Sequence, residues 1–252
     1  MWKFEIMRTK VFITGTSSGI GLAIAEKLLL TDAYEVVGIG RRHTINHPRY
    51  IPVTADLSDF EATKTILFEA DSSFSKIVLI NNAGRIGAIQ RVGSLSDDDI
   101  DDSIQLNLTA VIQLTNYFLS AFGRKDDRQQ IILNISSGAG KNPIDAWSVY
   151  CATKAGLDMF TRCVREELNV LNQHQIYAFS VAPGVVDTPM QQHIRASTEE
   201  NFSRLEYFQN LHREGQLLST DLISHKVHLI LEDPKQVGEE VVFSLKDFGI
   251  KK

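Results

Sequence analysis

The chain holds only two cysteines in 252 residues, no uninterrupted apolar run of the length that crosses a membrane, and no concentration of lysine and arginine. Each shortage excludes something. Cys151 and Cys163 fall in one predicted helix, where about twelve residues at ~1.5 Å rise set them roughly 18 Å apart, beyond disulfide reach, so both are expected to be reduced. The opening MWKFEIMRTK lacks the apolar core of a secretory signal, so a cytoplasmic location is expected and no membrane span is. A formal net charge of -5 without a basic patch argues against nucleic acid or an anionic membrane as partner. No repeat, low-complexity tract or Pro/Gly/Ser-rich stretch marks a linker, so residues 1–252 are read as one domain. The seven histidines show no HExxH or CxxC-like grouping, and His225 and His228 are expected on a solvated helix face, not on zinc. Ser137 as a hydrolase nucleophile lacks the G-x-S-x-G elbow.

What the sequence does contain is alternation. Short β-branched runs KVFIT (10–14), YEVVGIG (34–40), YIPVTA (50–55), KIVLINN (76–82), QQIILNIS (129–136), QIYAFSVA (175–182) and EEVVFSL (239–245) are separated by amphipathic stretches. Helices are predicted over 19–31, 59–70, 97–122, 148–172 and 220–232. Seven strands with helical crossovers make an α/β, single-domain Rossmann fold, a doubly wound seven-stranded parallel sheet flanked by helices. Residues 187–217 break the alternation and are expected either as a substrate lid or as two surface helices on the body. In SLSDDDIDD, Ser96 is predicted to cap a helix, with Asp99 three residues on and the carboxylates at the positive dipole end.

The chemistry-bearing residues all follow strands. Between the first strand and the first helix stands T-G-T-S-S-G-I-G, Thr14 to Gly21. Gly15 permits the turn, Gly19 lets backbone approach a pyrophosphate, and Gly21 lets the helix pack on the sheet. Ser17, Ser18 and Ile20 complete a loop whose amides face the anion. A carboxylate ending the second strand would bind a free ribose 2′-hydroxyl. The chain instead reads GIGRR, so Arg41 and Arg42 point to a 2′-phosphate and hence to NADP(H). Asp56 and Leu57 suit an adenine edge and ring face; Asn82, Ala83 and Gly84 of N-N-A-G leave space after the fourth strand. Ser136 and Ser137 follow the fifth, and Pro183, Gly184, Val186 and Thr188 of P-G-V-V-D-T follow the sixth. Tyr150 and Lys154 are one helical turn apart, which brings an ammonium beside a phenol. Acid–base work near neutral pH asks such a phenol, with an ordinary pKa near 10, to shift downward by roughly three units.

Taken in order over residues 10–190, TGxxxGxG, NNAG, serine, YxxxK and PGxxxT resemble the short-chain dehydrogenase/reductase family. The stretches NPIDAWSVYCATKAGLDMF, PGVVDTPMQQHIRAS and SLKDF make the chain similar to its sepiapterin reductase-like branch, benzil reductases above all. The resemblance implies a catalytic tetrad of Asn107, Ser137, Tyr150 and Lys154. Ser137 is taken over Ser136 because the family's serine usually lies thirteen positions before the tyrosine. In the implied roles Ser137 holds a substrate carbonyl, Asn107 fixes a water that links Lys154 to solvent, and Tyr150 donates the proton. The implied substrate is a small carbonyl compound, an aromatic 1,2-diketone such as benzil, reduced by NADPH. Sepiapterin reductases look to a C-terminal aspartate for the pterin; Val242 stands near that place and Asp247 is a substitute, so a pterin ranks second. Ser18 stands where many NADP-dependent relatives carry a basic residue, which leaves the phosphate to Arg41 and Arg42. A homodimer or homotetramer is implied, with Ala152, Ala155 and Gly156 allowing close packing of the catalytic helix.

Trp147, three residues before Tyr150, is expected in the wall of the substrate pocket. Met190 is a further candidate, and Phe202, Tyr207 and Phe208 suit either that wall or the core. A catalytically silent dinucleotide-sensing or partner-binding protein is the alternative function, against which the intact tetrad counts.

Overall fold

In the computed structural model the described residues are 8–123 and 126–249. Residues 1–7, which hold most of the opening stretch behind the expected cytoplasmic location, lie outside them, as do 124–125 and 250–252. The chain runs β1 (Arg8–Thr14), α1 (Gly19–Leu29), β2 (Tyr34–Gly40), β3 (Tyr50–Thr54), α2 (Phe60–Lys64), β4 (Phe74–Asn81), α3 (Asp97–Ile104), α4 (Ala110–Phe122), β5 (Gln129–Ile135), α5 (Ser148–Val170), β6 (Ile176–Ala182), α6 (Pro189–Arg195), α7 (Leu205–Arg213), α8 (Thr220–Glu232) and β7 (Val242–Ser244). All seven strands pair in parallel in the order β3-β2-β1-β4-β5-β6-β7.

Successive strand residues enter opposite layers. Val11 and Ile13 share a cluster with Ile24 and Leu28 of α1 and Ile223 and Val227 of α8, whereas Phe12 joins Leu114 and Phe118 of α4 and Val164 of α5. Both faces are thus covered by helices, which is why the strands read as apolar runs and not as alternating ones. The chain winds outward from β1 to β3, then crosses back to β4 on the other side of β1. The loops leaving β1 and β4 therefore diverge and open a crevice at the carboxyl edge of the sheet.

Three elements and one residue differ from expectation. The helix predicted over 59–70 stops at Lys64. Ile66 and Phe68 are buried while Leu67 between them is 74% exposed, a period of two that an extended chain satisfies and a helix does not. The helix predicted over 97–122 is divided by a π-helical turn, Gln105–Thr109. Its start is as expected, with Ser96 Oγ accepting from the Asp99 amide at 3.3 Å. The last strand shrinks from 239–245 to Val242–Ser244. His228 is half-buried, edge-on to the Tyr34 ring at 5.7 Å and 3.4 Å from Glu232, so it is not on a solvated face. Among the described residues no helix is long and apolar enough to cross a membrane, and no group of His, Cys, Asp or Glu could hold a metal ion.

The 187–217 segment forms α6 and α7. It buries Ile194, Phe202, Leu205 and Phe208 in a third apolar cluster with Ile86, Trp147 and Tyr150 at the carboxyl edge.

Candidate active site

Gly15 and Gly19 have φ of +74° and +58°, in the left-handed region that favours glycine. Gly21 has a different reason. A Cβ there would lie 2.3 Å from both Asn82 Nδ2 and the Gly15 carbonyl oxygen. Asn82 Nδ2 occupies that space because it donates to the Thr14 and Gly15 carbonyls at 2.9 and 3.2 Å. The amides of Asn82 and Ala83 both donate to Thr14 Oγ1 at 2.9 Å. The N-N-A-G segment therefore ties the end of β4 to the end of β1 across the crevice.

Arg41 and Arg42 are exposed at the end of β2, and Arg41 lies 3.6 Å from Asp56 Oδ2. Burial pushes the Asp56 carboxyl up, but hydrogen bonds from Ser58 and the Arg41 guanidinium outweigh it and hold the group below the usual carboxylate range. Leu57 beside it is buried.

At the catalytic edge, Ser137 Oγ accepts from the Ala139 amide at 3.2 Å and lies beside the Tyr150 hydroxyl. The neighbouring Ser136 hydroxyl is buried without a partner. Trp147 precedes the first residue of α5, and its ring stands edge-on to Tyr150 at 5.9 Å and stacked on Phe202 at 5.3 Å. Lys154 is 4% exposed; its Nζ donates to the Ile135 carbonyl at 2.8 Å and lies 5.7 Å from the Tyr150 ring centroid. The expected downward shift of the phenol is not what the chain alone produces. Burial pushes Tyr150 up to about 12, against a lowering by the Ser137 hydroxyl. Burial likewise brings Lys154 down to about 8, partly offset by the Asp158 carboxylate one turn along α5.

Asn107 sits in the π turn, fully buried. Its Oδ1 accepts from the Arg85 amide and its Nδ2 donates to the Arg85 carbonyl, both at 2.8 Å, so the side-chain amide grips the backbone just after N-N-A-G. A Cβ on Gly84 would lie 3.1 Å from Asn107 Oδ1 and 3.7 Å from Lys154 Nζ. Glycine at 84 therefore leaves a gap between these two polar atoms that has the partners a water needs.

One cavity of about 1070 Å³ runs from the glycine-rich loop to α7. Of the candidate catalytic, cofactor and pocket-wall residues, all but Gly21, Asn107 and Phe202 line it. The polar half is bounded by the glycine loop, Arg41, Arg42 and Asp56. The other half is bounded by Trp147, Met190, Phe208 and, in addition, Ile86, Ile144 and Ile194. Neither Val242 nor Asp247 reaches it.

The model of the family described as short chain dehydrogenase matches residues 9–199. The chain belongs to the short-chain dehydrogenase family. It is similar to the benzil reductase ((S)-benzoin forming) of Bacillus subtilis (strain 168), 38% identical over 94% of this chain and 98% of that protein. It is also similar to the sepiapterin reductase of Xenopus tropicalis, 28% identical over 92% and 94%. Among solved structures, that of the KRED1-Pglu enzyme superposes with a TM-score of 0.77 at 30% identity, covering 90% of this chain and 95% of that one.

As a short-chain dehydrogenase the protein is an oxidoreductase of carbonyl and CH–OH groups that uses a nicotinamide dinucleotide. Sequence reasoning missed the aliphatic wall of Ile86, Ile144 and Ile194. Ile86 and Ile144 are isolated in loops and Ile194 lies in the seven-residue α6, so none carries a periodic signal, and only the position of Ile86 two residues past N-N-A-G offered a hint.

Proposed function

We propose that this short-chain dehydrogenase is an NADPH-dependent carbonyl reductase. It converts an aromatic or 1,2-dicarbonyl ketone, benzil-like, to the hydroxy ketone, with Tyr150 as general acid. The observation that carries this reading is one phenol, beside Ser137 and set edge-on to Trp147, at the point where the polar half of the cavity meets its aromatic half. The residues present suit a dinucleotide. Gly15 and Gly19 expose backbone at the start of α1, Gly84 leaves room beside Lys154, and Arg41 and Arg42 offer guanidiniums for a 2′-phosphate.

When bound, the dihydronicotinamide supplies the hydride. Ser137 and Tyr150 hold the substrate carbonyl oxygen between their hydroxyls. As charge grows on that oxygen, Tyr150 gives up its proton. A phenol pushed up by burial is protonated at neutral pH and ready to donate, and the incipient alkoxide is the stronger base. The Lys154 ammonium then stabilises the phenolate, and a water in the gap between Asn107 Oδ1 and Lys154 Nζ returns the proton. Trp147 and Phe208 face the aryl groups of the substrate, and residues 187–217 serve as its lid. A pterin fits less well, because among the described residues no carboxylate of the C-terminal segment lines the cavity. The site of action we assign is the cytoplasm.

Incubating the protein with NADPH and benzil tests this. Steady NADPH consumption with formation of the hydroxy ketone is expected, reduced by a factor of about 10² or more in Tyr150→Phe. Tight NADPH binding without consumption across aromatic ketones and 1,2-diketones would return the protein to the sensing class.

A further inference from the structure

The two loops that face the dinucleotide's phosphates meet at one buried hydroxyl. Tyr50 opens β3, and its ring lies over Gly38 of β2. A Cβ on Gly38 would fall 2.1 Å from the Tyr50 hydroxyl oxygen and 2.6 Å from a ring carbon, so the glycine makes the seat for this side chain. Tyr50 is 7% exposed, yet its hydroxyl has two partners, Thr16 Oγ1 at 2.7 Å and His43 Nδ1 at 3.0 Å. Thr16 belongs to the glycine-rich loop; its neighbours Gly15 and Ser17 line the cavity while Thr16 itself points inward and is 1% exposed. His43 directly follows Arg41 and Arg42, which line the cavity at the other side of the same end. With the Tyr50 hydroxyl donating to His43 Nδ1 and accepting from Thr16, its hydrogen-bonding capacity joins the two loops. His43 Nε2 is buried without a partner, so the tyrosine is the polar tether of that ring among the described residues.

We infer that Tyr50 is a positioning residue for cofactor selectivity, coupling the glycine-rich loop to the Arg41–Arg42 loop so that pyrophosphate and ribose 2′-phosphate are met at a fixed separation. The inference rests on the reading of the cofactor as NADPH. Phenylalanine at 50 keeps the ring on Gly38 and removes only the junction, leaving Thr16 and His43 each without its partner.

The test is binding alone, without carbonyl substrate: fluorescence titration of wild type, Tyr50→Phe and His43→Leu with NADPH and with NADH, each variant checked by its melting curve. Tyr50→Phe is expected to weaken NADPH by about tenfold and NADH by distinctly less, because the arginine loop serves only the phosphorylated ribose. His43→Leu is expected to weaken NADPH and leave NADH unchanged, and it carries the test if Tyr50→Phe fails to fold. A wild type that prefers NADPH, with variants that keep the preference or lose both cofactors in equal measure, overturns the inference alone. A wild type without the preference overturns the cofactor reading and the inference with it.

Discussion

Burial favours the uncharged form of both Tyr150 and Lys154, pushing the phenol up to about 12 and the ammonium down to about 8. The Lys154 shift sets a pH dependence. The ammonium that stabilises the phenolate is present below about 8 and is lost above it, so kcat/KM for reduction should fall as pH rises through that value. A rate constant that stays level to pH 10 would place the controlling charge elsewhere. Asp158, which accepts from Ser180 Oγ at 2.6 Å, raises the proton affinity of Lys154, so Asp158→Asn should move the falling limb to lower pH. Stability runs the other way. The unfolded chain holds the lysine proton up to 10.5, the folded one only to about 8, so the burden on the fold is full below about 8 and fades toward 10.5. Lys154→Met should therefore raise the melting temperature at pH 7, with a gain that shrinks between pH 8 and 10.5, while abolishing turnover; calorimetry across pH checks the window. Gly84→Ala should cut kcat and leave the melting temperature close to wild type, since its methyl enters the gap between Asn107 and Lys154. The Tyr/Lys spacing was legible from four letters of sequence. The direction of the phenol's shift was not, because burial comes from Trp147, Phe202 and Phe208, and the last two lie more than fifty residues further along the chain.

Elements divide by how local their causes are. The strands and the glycine-rich turn follow from short-range pattern, so β1, β2 and β4 lie within two residues of expectation. The early end of α2 and the π turn do not. Ile66 and Phe68 take an extended spacing because core sites below the sheet's other face accept them, and QLNLT carries no signal that one turn must widen to place Asn107. Gly156 of α5 leaves room for Leu108 of the π turn, whose Cδ2 would be 3.2 Å from a Cβ. The α6–α7 segment is tied to the body by polar contacts at Asp145, which accepts from the Ser203 amide at 3.1 Å and its hydroxyl at 2.9 Å and pairs with Arg91 at 3.5 Å. If this segment is the lid, Asp145→Ala should raise KM for the carbonyl substrate several-fold and leave NADPH affinity unchanged. An unchanged KM would reduce α6 and α7 to surface helices.

At the scale of the whole molecule, the topology decides which distant residues meet. The reversal of strand order between β1 and β4 gathers loops from six strands at one edge, and that convergence was readable once seven runs and their connections were counted. Which protein surface is left over was not readable. On α5, Ala152, Ala155 and Met159 remain exposed, and a homodimer or homotetramer closing over that helix is expected in sedimentation, with Ala155→Arg shifting it toward monomer. The central claim is that this chain moves a hydride onto a ketone and a proton from Tyr150 onto its oxygen. The most direct measurement supplies NADPH deuterated at the transferring position together with benzil and follows the label by mass spectrometry. Deuterium at the carbinol carbon of the hydroxy ketone with wild type, and essentially none with Tyr150→Phe, is the predicted result. Product without label, or equal labelling by the Tyr150→Phe variant, would contradict the account.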